Sequence, residues 1–266
     1  MSKDLSKISK SKKIIISILG GRQFIIFKSL SVIKNPIMNY IKLFPFLKNN
    51  YFSFYFKMIS SEYFVQFNYV KPKKKEYLNK KYSFKYRDWF SDNINVWKKF
   101  LSNVNNIKYL EIGTFEGRSA LFISEFENSR KIVCVDPYID YNETERYDFK
   151  MENVYESVKE KISKIKNKDI NLIKKTSDEF FLENKESFNV IYIDGSHHHE
   201  DVKKDFINSM NCLEKNGILI CDDFLWFRYK KIEENPISAT IECYYKYQKN
   251  LKILFINHQI IFKKIN

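Results

Sequence analysis

The sequence predicts an α/β fold built on a mainly parallel sheet, and three observations predict it. Four short apolar runs rich in β-branched residues have strand length, stretches of helical spacing lie between them, and each run stops at an acidic or glycine-containing turn. Such alternation places helices on both faces of a parallel sheet. In chain order, the first run is Tyr109-Leu110-Glu111-Ile112, followed by helical spacing over residues 119–126. Lys131-Ile132-Val133-Cys134-Val135 is the second run, followed by a helical stretch over 154–165. Phe188-Asn189-Val190-Ile191-Tyr192-Ile193 reads as a buried strand closed by Asp194-Gly195, residues 202–213 as a helix, and Gly217-Ile218-Leu219-Ile220-Cys221 as the next strand. Residues 236–247 suit a helix, and two strands over 251–256 and 259–262 are joined at Asn257-His258.

A length of 266 residues fits one catalytic domain over 86–266 with an N-terminal extension over 1–85. The net charge of +14 is unevenly spread: residues 1–108 hold 22 Lys and Arg against 5 Asp and Glu, leaving 24 against 27 for the rest. The basic, aromatic-rich extension therefore suits contact with an anionic membrane surface or a polyanion, or a solvated lysine face, and no base-reading motif accompanies it, so nucleic acid is not expected. The most apolar N-terminal stretch, 14–19, is too short to span a bilayer and lacks the cleavage site of a secretory signal. Residues 14–70 suit amphipathic helices, packed on the domain or lying on a bilayer, and Lys71-Pro72-Lys73-Lys74-Lys75 reads as a linker. Cys134, Cys212, Cys221 and Cys243 show no paired spacing and read as reduced residues of a cytoplasmic protein.

The strand ends carry the chemistry. Glu111-Ile112-Gly113-Thr114-Phe115-Glu116-Gly117-Arg118-Ser119 spaces an acid and two glycines before a helix, where Gly113 allows a tight turn and Gly117 admits a ligand to the helix start. The dinucleotide pattern G-x-G-x-x-G is absent, which favours a cofactor without a pyrophosphate. Asp136, 25 residues beyond Glu111 and at the end of the second run, is placed to accept hydrogen bonds from a ribose diol. Ile193-Asp194-Gly195-Ser196-His197-His198-His199-Glu200-Asp201 holds three of the four histidines at the next strand's carboxyl end, and Cys221-Asp222-Asp223 closes the strand after it.

With these motifs the chain resembles the class I S-adenosylmethionine-dependent methyltransferases, in the branch that has D-G-S-H-x-x-E-D-V and D-D-[FY] at these strand ends and includes sugar O-methyltransferases. The resemblance runs from about Tyr86 to the C-terminus and takes in Asp88-Trp89-Phe90-Ser91-Asp92-Asn93-Ile94 with Trp97. It implies a Rossmann-like, seven-stranded sheet, mostly parallel with a C-terminal antiparallel hairpin. It also implies that Glu111, Gly113, Gly117 and Ser119 surround the methionine end of S-adenosylmethionine, with Asp194 beside them. Asp136 would hold the ribose and Ser177 would meet the adenine, although Lys175 stands where family members often have glycine. By the family's strand order, Asp194, Asp222 and Asp223 would hold one divalent ion, for which carboxylates favour Mg²⁺ over zinc; the alternative is a site without metal, in which Asp222 and Asp223 cap the strand end and bind substrate. His197 would be the general base, while His198 and His199 read as residues starting the next helix. The resemblance implies methylation of a hydroxyl on a sugar or other small polar acceptor; the alternatives are a glycan polymer or RNA as acceptor, or a non-catalytic cofactor-binding scaffold. The oligomeric state carries no sequence signal.

Overall fold

The computed structural model describes residues 51–67, 78–140, 149–226 and 228–266. The apolar stretch at 14–19 and the lysine-rich run at 71–75 lie outside the described residues. The chain divides into two compact units, residues 1–66 and 67–266. Of the first unit, residues 51–66 are described, all in helix α1 (Tyr51–Phe67), in which Phe54, Met58 and Ser61 are buried at helical spacing. Among the described residues no helix is long and apolar enough to cross a membrane.

The second unit runs α2 (Ile94–Leu101), β1 (Ile107–Ile112), α3 (Arg118–Ser124), β2 (Ser129–Val135), α4 (Met151–Ser163), β3 (Asp169–Ile173), α5 (Ser177–Glu183), β4 (Phe188–Ile193), α6 (His199–Cys212), β5 (Leu213–Cys221), α7 (Pro236–Tyr247), β6 (Leu251–Ile256) and β7 (Ile260–Lys264). The seven strands are ordered β3-β2-β1-β4-β5-β7-β6. β1 through β5 are parallel, and β7 runs antiparallel to both β5 and β6. This is the mostly parallel sheet with a terminal hairpin that the sequence predicts. Every strand run read from the sequence is present. β3 and α5 are additions: β3 alternates exposed and half-buried residues and leans only on β2, so it lacks the continuous apolar run of the central strands.

The chain winds outward from β1 to β3, returns, and then builds β4 and β5 on the other side of β1. The reversal makes β1 and β4 the switch point, where open parallel sheets leave a crevice at the carboxyl ends of the strands. Register sharpens this. Val135, Ile112, Ile193 and Cys221 pair across the sheet in one row. The ladder continues one residue further, through Gly113 N–H to Val135 O (2.8 Å), Asp194 N–H to Ile112 O (2.8 Å) and Asp222 N–H to Ile193 O (2.9 Å). Asp136, Gly113, Asp194 and Asp222 therefore stand on neighbouring strands at the same level, about 4.8 Å apart per strand. The core beneath them is apolar and fully buried, from Leu110, Ile132 and Val190 to Leu219 and Ile261. The four cysteines are free thiols.

Candidate active site

The turn after β1 is shaped by what it must pass. Gly113 has φ +86°, and a Cβ there would stand 2.0 Å from the Asp194 carbonyl oxygen, so only glycine lets the turn cross the end of β4. Gly117 caps α3 at φ +75°. Phe115, between them, also takes a left-handed conformation (φ 46°), which a bulky residue adopts only under constraint. The constraint is visible: the Phe115 N–H donates to Asp136 Oδ2 (2.9 Å), and the Tyr138 hydroxyl donates to Phe115 O (3.1 Å). Asp136 also accepts from the Tyr138 N–H (2.8 Å), so this buried carboxylate is oriented by two backbone donors while burial raises its pKa.

Glu111 is wholly buried at the end of β1 and accepts from the Tyr109 hydroxyl (3.1 Å) and from Ser119 Oγ. Its second oxygen, Oε2, has no partner. Burial pushes its pKa up to about 8, against the hydrogen bonds from Ser119 and Tyr109. A folded-state pKa raised above the unfolded value contributes stability that is complete below about pH 4.5 and is lost as pH rises through about 8. Glu111→Gln is therefore expected to flatten the loss of stability between pH 6 and 9, gaining on the wild type by a few kcal/mol at the alkaline end. Denaturant melts at both pH values check this; parallel curves for the two proteins would remove the linkage.

On the other side of the switch point, two carboxyls share one hydroxyl. Tyr192, the residue of β4 before Ile193, places its hydroxyl 2.8 Å from Asp194 Oδ2 and in contact with Asp222 Oδ2. One phenol proton cannot serve both acids. Burial and the facing Asp222 raise the Asp194 pKa well above its usual value, and burial with the Asp223 charge pushes Asp222 to about 6. Asp222 is further held by Gln259 Nε2 (2.9 Å), whose Oε1 accepts from the buried Trp97 indole (2.9 Å). Sequence reasoning placed Tyr192 and Gln259 in strands without a role, because their shared duty exists only once β4, β5 and β7 lie side by side.

Asp223 turns away from that pair. Its backbone is left-handed (φ 51°), and its Oδ2 lies 2.7 Å from His197 Nε2. The His197 ring stacks on Trp226 at 4.6 Å and 12°. His198 and His199 open α6 as expected: His198 stacks on Tyr229, and His199 Nδ1 lies 2.6 Å from Ser238 Oγ. Ser177 begins α5 behind a Thr176–Glu179 capping box and lies near the buried Asp205, whose pKa burial raises to about 7 against the influence of Ser177. Among the described residues, no three His, Cys, Asp or Glu side chains converge as a metal-ligating group. Asp194 and Asp222 meet at Tyr192, while Asp223 meets His197.

A further buried acid holds the Gly113–Gly117 turn from behind. Glu116, fully buried, accepts from the Lys85 (2.5 Å) and Tyr86 (3.1 Å) backbone N–H groups and pairs with Lys161 (3.4 Å) and Arg118 (3.6 Å). Arg118 in turn donates to Tyr86 O (2.8 Å) and lies over the Phe84 ring. Residues 84–86 are thereby fastened to the Gly113–Gly117 turn, a tie whose long-range partners gave the sequence no motif.

Residues 110–224, which hold Glu111, the glycine turn, Asp136, Asp194, His197, Asp222 and Asp223, match a family described as a methyltransferase domain. No curated protein sequence is similar enough to match the chain. Among solved structures, the chain is similar to an O-methyltransferase from Bacillus cereus in complex with SAH (13% identity, 78% of this chain, 97% of that one, TM-score 0.51). It is also similar to the O-methyltransferase TomG from Streptomyces achromogenes, involved in tomaymycin synthesis, in complex with SAM (8% identity, 78% and 96%, TM-score 0.50). A third similar structure is MycE, a methyltransferase of the mycinamycin biosynthetic pathway in complex with Mg and SAH (14% identity, 74% of this chain, 55% of that one, TM-score 0.51). At these identities the likeness is one of fold.

Proposed function

With residues 110–224 forming a methyltransferase domain, we propose that the chain transfers the methyl group of S-adenosylmethionine to a hydroxyl oxygen of a sugar or other small polar acceptor. The observation that carries this reading is the single row of strand ends, which sets the glycine turn and Asp136 on one side of the switch point and the Asp223–His197 pair on the other. The cofactor supplies an electrophilic methyl group. The chain's part is to hold it, to exclude water, and to take the acceptor's proton.

Asp136, oriented by the Phe115 and Tyr138 N–H groups, faces the ribose diol, and the free Oε2 of Glu111 suits an ammonium donor at the methionine end. Ser119 keeps Glu111 in place, and Ser177 lies toward the adenine. His197, with Nε2 against the Asp223 carboxylate and its ring plane set by the stack on Trp226, is the group that would take the acceptor's hydroxyl proton. Mg²⁺, if bound, would be held by the hard oxygen donors of Asp194 and Asp222, with Asp223 one residue on although it turns to His197 in the structure, and would lower the pKa of the acceptor hydroxyl. The crowding of Asp194 and Asp222 onto one hydroxyl supports this, because a cation relieves their repulsion.

Calorimetric titration with S-adenosylhomocysteine, with and without Mg²⁺, tests the reading. Micromolar binding is expected, weakened at least tenfold in Asp136→Ala, a loss of about 1.4 kcal/mol or more. Absence of binding by the wild type would turn the domain into a scaffold.

A further inference from the structure

At the opposite pole of the sheet lies a cleft of about 410 Å³. It is formed where α3 ends, where α4 ends and where the chain enters β3, at the amino end of β2 and so about 20 Å along that strand from Asp136 at 3.3 Å per residue, while one wall residue, Lys161, reaches Glu116 of the glycine turn (3.4 Å). Its walls carry Lys81, Lys161, Lys164, Lys166 and Lys168 against the single carboxylate of Glu125.

The charge balance decides what this cleft accommodates. Lys81 is neutralised by Glu125 (2.8 Å), and the buried Lys161 reaches away to Glu116 (3.4 Å). Lys164 pairs with Glu160, which lies outside the lining, but both side chains are about two-thirds exposed, so that bond is weak and exchangeable. Lys168 donates to the carbonyls of Phe126 (2.7 Å) and Ser129 (3.0 Å), an arrangement that fixes its ammonium without cancelling its charge. Lys166 is exposed. Three positive charges therefore remain. The carboxyl ends of α3 and α4 offset roughly half a charge each, leaving about two. Burial depresses both the Lys161 and the Lys168 pKa, with Arg130 adding to the shift at Lys168 and Glu116 opposing it at Lys161. Two compensating charges in a volume of this size match a small phosphorylated molecule better than a single halide or carboxylate.

We propose that the cleft between the ends of α3 and α4 binds a small phosphorylated ligand carrying at least two negative charges, held by Lys164, Lys166 and Lys168 and separate from the methyl-transfer site. Because the whole chain is basic, the test must separate a site from a general attraction.

Titration of the full chain with tripolyphosphate at low ionic strength is expected to give saturable one-to-one binding. Lys164→Glu with Lys166→Glu should weaken it at least tenfold, whereas Lys215→Glu with Lys252→Glu, an equal change of net charge at two exposed remote lysines, should leave it within twofold. Saturating S-adenosylhomocysteine should not displace the anion. Unsaturable binding, equal weakening by both double variants, or displacement by S-adenosylhomocysteine would each overturn the proposal. Inorganic phosphate, with a charge of about −1.5 to −2 at neutral pH, is expected to bind the same cleft in a parallel titration and to be weakened by Lys164→Glu with Lys166→Glu; binding untouched by that double variant would overturn the proposal.

Discussion

Gly113→Ala is expected to abolish S-adenosylhomocysteine binding and to lower the melting temperature by on the order of 10 °C. The added Cβ would stand 2.0 Å from Asp194 O, 2.5 Å from its carbonyl carbon and 2.6 Å from Gly195 Cα. All three are backbone atoms at the end of β4, so no side chain can swing aside. The residue's φ of +86° adds strain for any L side chain. Overpacking and an unfavourable backbone conformation each cost about 1–3 kcal/mol, and for a unit of this size each kcal/mol corresponds to about 2–4 °C. The only relief is to part β1 from β4, which opens the row that aligns Asp136 with Asp194. Gly195→Ala is the internal control: its Cβ would meet Ile112 Cγ2 at 3.5 Å and Asp205 Oδ2 at 3.7 Å, ordinary contacts, and a loss below about 1 kcal/mol is expected. Thermal melts and calorimetry on both variants measure this; a Gly113→Ala protein with wild-type affinity would show that the turn does not hold the cofactor.

His197→Ala is expected to lower kcat by about 10²–10⁴, the range for loss of a general base, while S-adenosylhomocysteine binds as before. The split is the informative part, since His197 lies against Asp223 and Trp226 beyond β4, whereas Glu111 and Asp136 stand at the ends of β1 and β2. Asp223→Asn should lose less, because the imidazole remains while its orientation and charge support weaken. Single-turnover measurements keep chemistry limiting. Undiminished turnover in His197→Ala would remove the histidine from the reaction and leave proton removal to another group.

Much of this was legible in the chain. The central strands β1, β2, β4 and β5 are short apolar runs, each ended by an acid or a glycine turn, so the residues that close them announced themselves. The glycines at 113 and 117 were legible for the same local reason: both stand at positive φ, where other residues are strained. β3 was not, because an edge strand with one neighbour carries little apolar signal.

Local chemistry, in which a residue's neighbours within a turn or a strand suffice, determined the fold class and the position of the glycine turn, Asp136 and His197 at the strand ends. What only the tertiary structure decided are the contacts that span the chain. Gln259 reaches Trp97 across 162 positions and Asp222 across 37, Tyr192 bridges two acids on different strands, and Glu116 draws in Lys85 and Lys161. These depend on strand order and register, which a period-two pattern leaves open until the sheet is assembled. The same assembly joined the ends of α3 and α4 into a lysine-lined cleft, because helix ends distant in sequence meet only when both helices pack on the one sheet.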